Sequence, residues 1–175
     1  MLLQAVFLDR DGTIGGSEHI EYPGELKLFP YTAKAIEQLQ NQGIRVFSFT
    51  NQPGISRGEA AEEDFIKELN GFGLDGVYLC PHHHREGCIC RKPGTGMLEK
   101  ASADHNIDLN QCAVIGDRWT DIEAAKNAGC TAVLVLTGSG KKALEENHHR
   151  STVPPDYVAD HIADAVEWLL KAVKV

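Results

Sequence analysis

Hydrophobic positions along this chain fall into short unbroken runs, separated by longer stretches in which apolar residues recur at helical spacing. The runs Gln4–Leu8, Ile44–Phe49, Gly76–Leu79, Ala113–Ile115 and Ala132–Leu136 are bounded by polar residues or Gly, which predicts buried strands. A short late strand is predicted at Tyr157–Ala159. Helical patterns occupy Tyr31–Asn41, Glu59–Gly71, Gly96–His105, Thr120–Ala128, Lys141–Asn147 and His161–Val173. Continuous apolar strands alternating with amphipathic helices predict an α/β fold in which helices cover both faces of a mainly parallel sheet. The expected architecture is a Rossmann-like three-layer α/β/α with right-handed crossovers. One segment breaks the rhythm. Gly15–Leu28 is a long excursion before the first helix, too small for a separate domain but large enough to border a site.

In an open parallel sheet, ligands bind outside the carboxyl ends of the strands, near the point where strand order reverses. The notable polar residues sit at those ends. Asp9 and Asp11 follow the first strand, Thr50-Asn51-Gln52 the second, Arg91-Lys92 the third and its loop, and Asp117 with Asp121 the fourth. Alternate residues of an extended segment face the same way, so Asp9 and Asp11 address one site while Arg10 points elsewhere. Gly12 lets the chain turn sharply without a Cβ penalty. Two carboxylates at such a strand end point to divalent-metal binding with nucleophilic or acid–base chemistry.

Length and composition narrow the class. The 175 residues suit one domain, spanning 1–175, with a full core. With 42% hydrophobic and 24% charged residues, the chain has no signature of disorder. A formal net charge of −8 argues against a nucleic-acid or anionic-membrane partner. It leaves room for a small anionic substrate gripped by local cations or a metal. No apolar run approaches transmembrane length, and Asp9 interrupts the N-terminal apolar stretch too early for a signal peptide, so a cytoplasmic location is expected. Five cysteines in a reducing compartment are not a disulfide framework. Cys80, Cys88 and Cys90 cluster and, with His82, form a Cys₃His set suited to a closed tetrahedral Zn²⁺ site in a loop at 80–92. His83 or His84 is an alternative fourth ligand, or faces substrate instead. Cys112 and Cys130 flank strands and are expected to pack as small hydrophobes. His148-His149-Arg150 is expected to be a solvated helix end.

Four motifs in this order resemble the haloacid dehalogenase superfamily of phosphotransferases: Asp9-Arg10-Asp11-Gly12-Thr13, Thr50-Asn51-Gln52, Arg91-Lys92-Pro93 and Gly116-Asp117-Arg118-Trp119-Thr120-Asp121. Cys80-Pro81-His82 followed by Cys88-Ile89-Cys90 is similar to the zinc-loop branch, which contains histidinol-phosphate and heptose-1,7-bisphosphate phosphatases. Asn51 through Gly58, including Arg57, looks more like the heptose-bisphosphate enzymes. The short stretch between His82 and Cys88 looks more like the histidinol-phosphate enzymes.

The resemblance implies a Mg²⁺-dependent phosphatase without a large cap domain, acting on a small phosphorylated metabolite as a monomer or small homo-oligomer. Asp9 is then the nucleophile that forms an aspartyl-phosphate, and Asp11 the general acid and base. Mg²⁺ is held by Asp9, Asp117 and the Asp11 backbone carbonyl, with Asp121 as a further ligand, a water-orienting group or only a helix-dipole partner. Thr50 and the Asn51 backbone hold phosphate oxygens, as does Lys92 from an inward position at a helix start. Arg57 and Arg91 join the substrate-binding set. A heptose-bisphosphate-like substrate leads, with histidinol phosphate as the alternative. A reading of another class is a zinc-stabilised binding domain that keeps the fold without turnover.

Overall fold

The run Ala5-Val6-Phe7-Leu8 is strand β1 (Ala5–Leu8), buried on both faces at the centre of a six-stranded sheet. This computed structural model describes residues 2–150 and 153–173; the side chains of 147–150 and 173, including His148, His149 and Arg150, lie outside the described residues. The elements that follow are α1 (Thr32–Asn41), β2 (Arg45–Asn51), α2 (Glu62–Gly71), β3 (Gly76–Cys80), α3 (Gly96–His105), β4 (Cys112–Gly116), α4 (Trp119–Ala128), β5 (Thr131–Val135), α5 (Gly140–Arg150), β6 (Tyr157–Ala159) and α6 (Ile162–Val173). Strand order is β3-β2-β1-β4-β5-β6, and every neighbouring pair is parallel. The chain winds outward from β1 to β3, then returns to place β4 on the other side of β1. That reversal opens a crevice between the carboxyl ends of β1 and β4.

Alternation within each strand separates two cores. Val6, Leu8, Val46, Ile115 and Val133 face a layer built by Leu39 of α1, Leu69 of α2 and Val166 of α6. Phe7, Phe47, Phe49, Val114 and Leu134 face Leu98 of α3, Ile122 of α4 and Ala143 of α5. Fully burying a large apolar side chain contributes roughly 1.5–3 kcal/mol. The strand ends are therefore mounted on the most strongly fixed part of the molecule. No described helix is long and apolar enough to cross a membrane.

Two boundary shifts have a visible physical cause. β2 continues through Asn51 because β3 pairs alongside it as far as Asn51 opposite Cys80, so Thr50 and Asn51 finish the strand instead of following it. α2 begins at Glu62, not Glu59, because the Glu59 carboxylate is engaged by Arg57 and Tyr22, and the helix opens on Glu62, Glu63 and Asp64, which suit its positive end. α3 spans Gly96–His105 as predicted, but that start lies well after Lys92, so the expectation that a helix start orients that lysine is corrected.

Candidate active site

Asp9 leaves β1 at the crevice, its backbone N–H donating to Ile115 O of β4 at 3.1 Å. Asp117, just past β4, and Asp121, in the first turn of α4, join it; one carboxylate oxygen from each lies within 4.8 Å of the others. All three are buried. Lys92 comes in from the opposite side, with Nζ 3.0 Å from Asp9 Oδ1 and 2.6 Å from Asp121 Oδ1, and it donates to Phe49 O at 2.9 Å. Burial alone would push the Lys92 ammonium down, but Asp121 and Asp9 outweigh it and hold its pKa above the ordinary value. Asp121 also accepts the Arg118 N–H at 3.1 Å, so the same side chain caps α4 and faces the cluster.

Three carboxylates against one ammonium leave negative charge in excess. Burial, followed by the charges of Asp9 and Asp121, pushes Asp117 up to about 9. Burial and Asp9 likewise raise Asp121 to about 6, with Lys92 pulling against them. An all-oxygen donor set with surplus negative charge fits Mg²⁺, a hard cation that takes one or two carboxylates and fills its remaining positions with water and phosphate oxygens. The backbone is shaped around Asp117. A Cβ on Gly12, whose φ is +81°, would lie 2.2 Å from Asp117 Oδ2 and 2.9 Å from Gly138 Cα. The Ser139 N–H donates to that same Oδ2 at 2.8 Å. Gly12 was expected for its turn; the close approach to Asp117 is an additional constraint that only the fold shows.

Asp11 stands beside the cluster, its side chain outside the three-carboxylate group. Gln52 Nε2 donates to its Oδ2 at 2.9 Å and to Thr50 Oγ1 at 2.9 Å. Arg10 Nη1 donates to Asp11 Oδ1 at 2.7 Å. This corrects the expectation that Arg10 points elsewhere. Its Cβ does leave the Asp face, but the long side chain turns back and ends on Asp11. Burial holds the Asp11 carboxyl above its usual range, with the Arg10 charge opposing. Gln52 and Arg10 were not among the sequence-derived site residues. Gln52 was legible, since it lies two positions after Thr50 on an extended segment. Arg10 was not, because its partner Glu68 is 58 residues away.

Asp9, Asp11, Thr50, Asn51, Gln52, Arg91 and Lys92 line one cavity of about 430 Å³, together with Arg118, Trp119, Ser139, Lys142 and Ile20 of the Gly15–Leu28 excursion. Asn51 spends its side-chain amide on Lys92: Oδ1 accepts Lys92 N–H at 3.0 Å and Nδ2 donates to Lys92 O at 3.4 Å. That clasp does the orienting expected of a helix start. Arg57 is not in the cavity lining. Its guanidinium is paired with Glu59 at 2.8 Å on an exposed loop, and Glu59 also accepts the Tyr22 hydroxyl.

At the cavity rim, the β3 end and the following loop gather Cys80, His82, Cys88 and Cys90, with ligand atoms within 4.8 Å of one another. His82 Nδ1 lies 3.1 Å from Cys90 Sγ, and Cys80 Sγ lies 3.1 Å from Cys90 Sγ and 3.6 Å from Cys88 Sγ. A tetrahedron with Zn–S bonds of about 2.3 Å has edges of about 3.8 Å, so the set is close to coordinating size. The His83 and His84 rings lie 4.0 Å apart, tilted by 41°, outside the group, leaving His82 as its imidazole. Burial works against ionising Cys88, but the Arg91 N–H and the Cys80 and Cys90 thiols bring it down to about 7. Cys112 and Cys130 are buried in the core, as expected.

A family model described as HAD-hydrolase-like matches residues 89–165. The D-glycero-D-manno-heptose-1,7-bisphosphate 7-phosphatase of Thermosynechococcus vestitus is 37% identical over 187 aligned residues that cover 94% of each chain. The D-glycero-beta-D-manno-heptose-1,7-bisphosphate 7-phosphatase of Vibrio cholerae is 37% identical, with 99% of this chain and 100% of that one covered. Among solved structures, the D,D-heptose 1,7-bisphosphate phosphatase of B. bronchiseptica, complexed with magnesium and phosphate, matches with a TM-score of 0.84 at 30% identity, over 97% of this chain and 99% of its own.

Proposed function

The chain belongs to the haloacid dehalogenase-like phosphatases, and on that premise we propose that it hydrolyses a D-glycero-D-manno-heptose 1,7-bisphosphate-like sugar phosphate through an aspartyl-phosphate. The observation that carries the chemistry is Lys92 Nζ lodged between Asp9 and Asp121 at the floor of the cavity. Relatives that act on a heptose bisphosphate match this chain end to end, and the cavity lining adds Arg91, Arg118 and Lys142, cations suited to a substrate with two phosphates.

In this reading Asp9 is the nucleophile. Its carboxylate oxygen forms a bond to phosphorus as the bond to the sugar oxygen breaks, and Asp11 gives its proton to that oxygen. Asp11, now ionised, takes a proton from water, whose oxygen attacks phosphorus and releases inorganic phosphate from Asp9. Lys92 neutralises charge on the transferring oxygens and on Asp9. Thr50 and the Asn51 backbone hold phosphate oxygens, while the Asn51 side chain keeps Lys92 in place. Asp9 and Asp117 hold Mg²⁺ with the Asp11 backbone carbonyl, and Asp121 borders that site. When bound, Mg²⁺ supplies charge neutralisation of the phosphoryl group. Cys80, His82, Cys88 and Cys90 hold a structural Zn²⁺ that orders the loop leading into Arg91 and Lys92. We take residues 1–175 as one domain working in the cytoplasm, as a monomer or small homo-oligomer, without nucleic-acid or membrane partners.

The test is kcat/KM for heptose 1,7-bisphosphate and for histidinol phosphate, side by side with Mg²⁺. A preference for the heptose ester is expected. A preference for histidinol phosphate overturns the substrate assignment, and no phosphate release from either favours a non-catalytic binding domain.

A further inference from the structure

Arg10 is fully buried, and so it must be explained by its partners. Its Nε and Nη2 donate to the two carboxylate oxygens of Glu68 on α2, at 2.8 and 3.1 Å. Its Nη1 donates to Asp11 Oδ1 at 2.7 Å and to the Glu21 carbonyl. The guanidinium lies 5.0 Å from the Phe65 ring centroid, and Glu68 Oε1 also accepts the Gly24 N–H at 3.1 Å. A bridge between β1, α2 and the Gly15–Leu28 excursion could be built with apolar side chains at less desolvation cost. An apolar bridge would leave Asp11 Oδ1 without its shortest contact.

We propose that the Arg10–Glu68 pair is a positioning device for Asp11, holding its carboxylate in one orientation toward the cavity; this rests on the acid–base reading of Asp11 given above. Aspartate has two rotatable side-chain bonds and is not rigid by itself. Here Oδ1 takes Arg10 Nη1 and the Glu21 N–H at 3.3 Å, while Oδ2 takes Gln52 Nε2 at 2.9 Å. Both oxygens are thereby pinned. Gln52 is anchored through Thr50, and Arg10 through Glu68. The fork geometry matters. Two parallel N–H bonds to Glu68 fix the guanidinium plane, which aims the remaining nitrogen at Asp11. A lysine carries the same charge but cannot make both contacts with a fixed direction. Misplacing a reacting group by about 1 Å can cost on the order of 10²-fold in rate. Arg10 and Glu68 touch no substrate atom in this scheme and are positioning residues only.

The experiment compares Arg10→Lys, Glu68→Gln and Asp11→Asn in single-turnover reactions with heptose 1,7-bisphosphate, a poor leaving group, and p-nitrophenyl phosphate, whose leaving group departs without a proton. Far-UV circular dichroism and thermal unfolding check each fold, and Glu68→Gln, which retains Arg10 and its own shape, carries the test if Arg10→Lys does not fold. For Arg10→Lys the sugar-phosphate rate is expected to fall about tenfold or more, with the half-saturating concentration within about threefold, and p-nitrophenol release within about threefold. Glu68→Gln should show the same asymmetry at smaller size. In an Asp11→Asn background Arg10→Lys should add little, the signature of two residues acting through one group. Equal slowing on both substrates, or an undiminished further loss in the Asp11→Asn background, overturns the proposal in favour of general structural support. If Asp11→Asn shows the leaving-group asymmetry and neither Arg10→Lys nor Glu68→Gln does, the proposal alone falls. If Asp11→Asn itself slows both substrates equally, the acid role of Asp11 falls and takes the proposal with it.

Discussion

Stripping Mg²⁺ from this protein should make its stability fall steeply as pH rises. Asp117 has an ordinary pKa of 3.8 and is pushed up to about 9 in the fold, first by burial and then by Asp9 and Asp121. Between those values the folded chain holds a proton that the unfolded chain has released. Stability therefore decreases with pH, by about 1.4 kcal/mol per unit for each such group. Asp121, raised from 3.8 to about 6, contributes the same sign over its narrower window. From about pH 5 to pH 8, Asp117 accounts for on the order of 4 kcal/mol, and Asp121 adds about 1 kcal/mol before it titrates. That is a large share of the roughly 5–15 kcal/mol typical of a folded domain. Glu59, lowered to about 2, completes its change below this window, and Cys88, lowered from 9.0 to about 7, opposes the trend only above about pH 7. Mg²⁺ binds the ionised carboxylates, so its stabilising effect should grow over the same range. The assay is urea unfolding across that range in Mg²⁺-free buffer, with and without added Mg²⁺, on wild type and Asp117→Asn. The substitution should remove most of the slope. A flat or rising profile for Mg²⁺-free wild type, or an unchanged slope in Asp117→Asn, would refute the reasoning.

Three further outcomes are expected. Asp9→Asn keeps the side-chain size beside Lys92 and should abolish phosphate release while leaving the circular dichroism spectrum unchanged; near-normal turnover in a folded sample would sink the nucleophile assignment. Cys88→Ser or Cys90→Ser should release zinc, measured by elemental analysis, and raise KM through Arg91 and Lys92 while the sheet stays folded; wild-type protein purified without chelator that carries no zinc, with its loop thiols titratable, would exclude the structural zinc. Gly12→Ala puts a Cβ 2.2 Å from Asp117 Oδ2 at a φ of +81°. The left-handed backbone costs about 1–2 kcal/mol and overpacking about 1–3 kcal/mol, so unfolding free energy should drop by about 2–5 kcal/mol, and a drop below about 0.5 kcal/mol would contradict the close packing.

Much of the fold was legible because it rests on local signals. Each strand is a continuous apolar run and each helix has an apolar face, and both periodicities are properties of the backbone itself. The same logic placed Asp9, Asp11 and Asp117 at strand ends, and chemistry alone marked Cys80, His82, Cys88 and Cys90 as soft-metal donors. Element boundaries were less legible. The reach of β2 depends on its partner β3, and the start of α2 depends on what holds Glu59.

The sequence by itself determined the layer architecture, the polar rim and the kinds of ligand its side chains can hold, because these follow from residue type and spacing. Tertiary structure alone decided which of those side chains meet. Arg57, an equal candidate in sequence, is drawn aside by a neighbour two residues away, whereas Arg10 is recruited to Asp11 by Glu68 on a distant helix. Which of three adjacent histidines joins the thiols was also open until the loop closed around His82. Each of these outcomes is a competition among long, flexible polar side chains for partners far apart in the chain. Local spacing sets only the candidates. Desolvation settles the result, since a buried charge must find its counter-charge wherever the fold brings one.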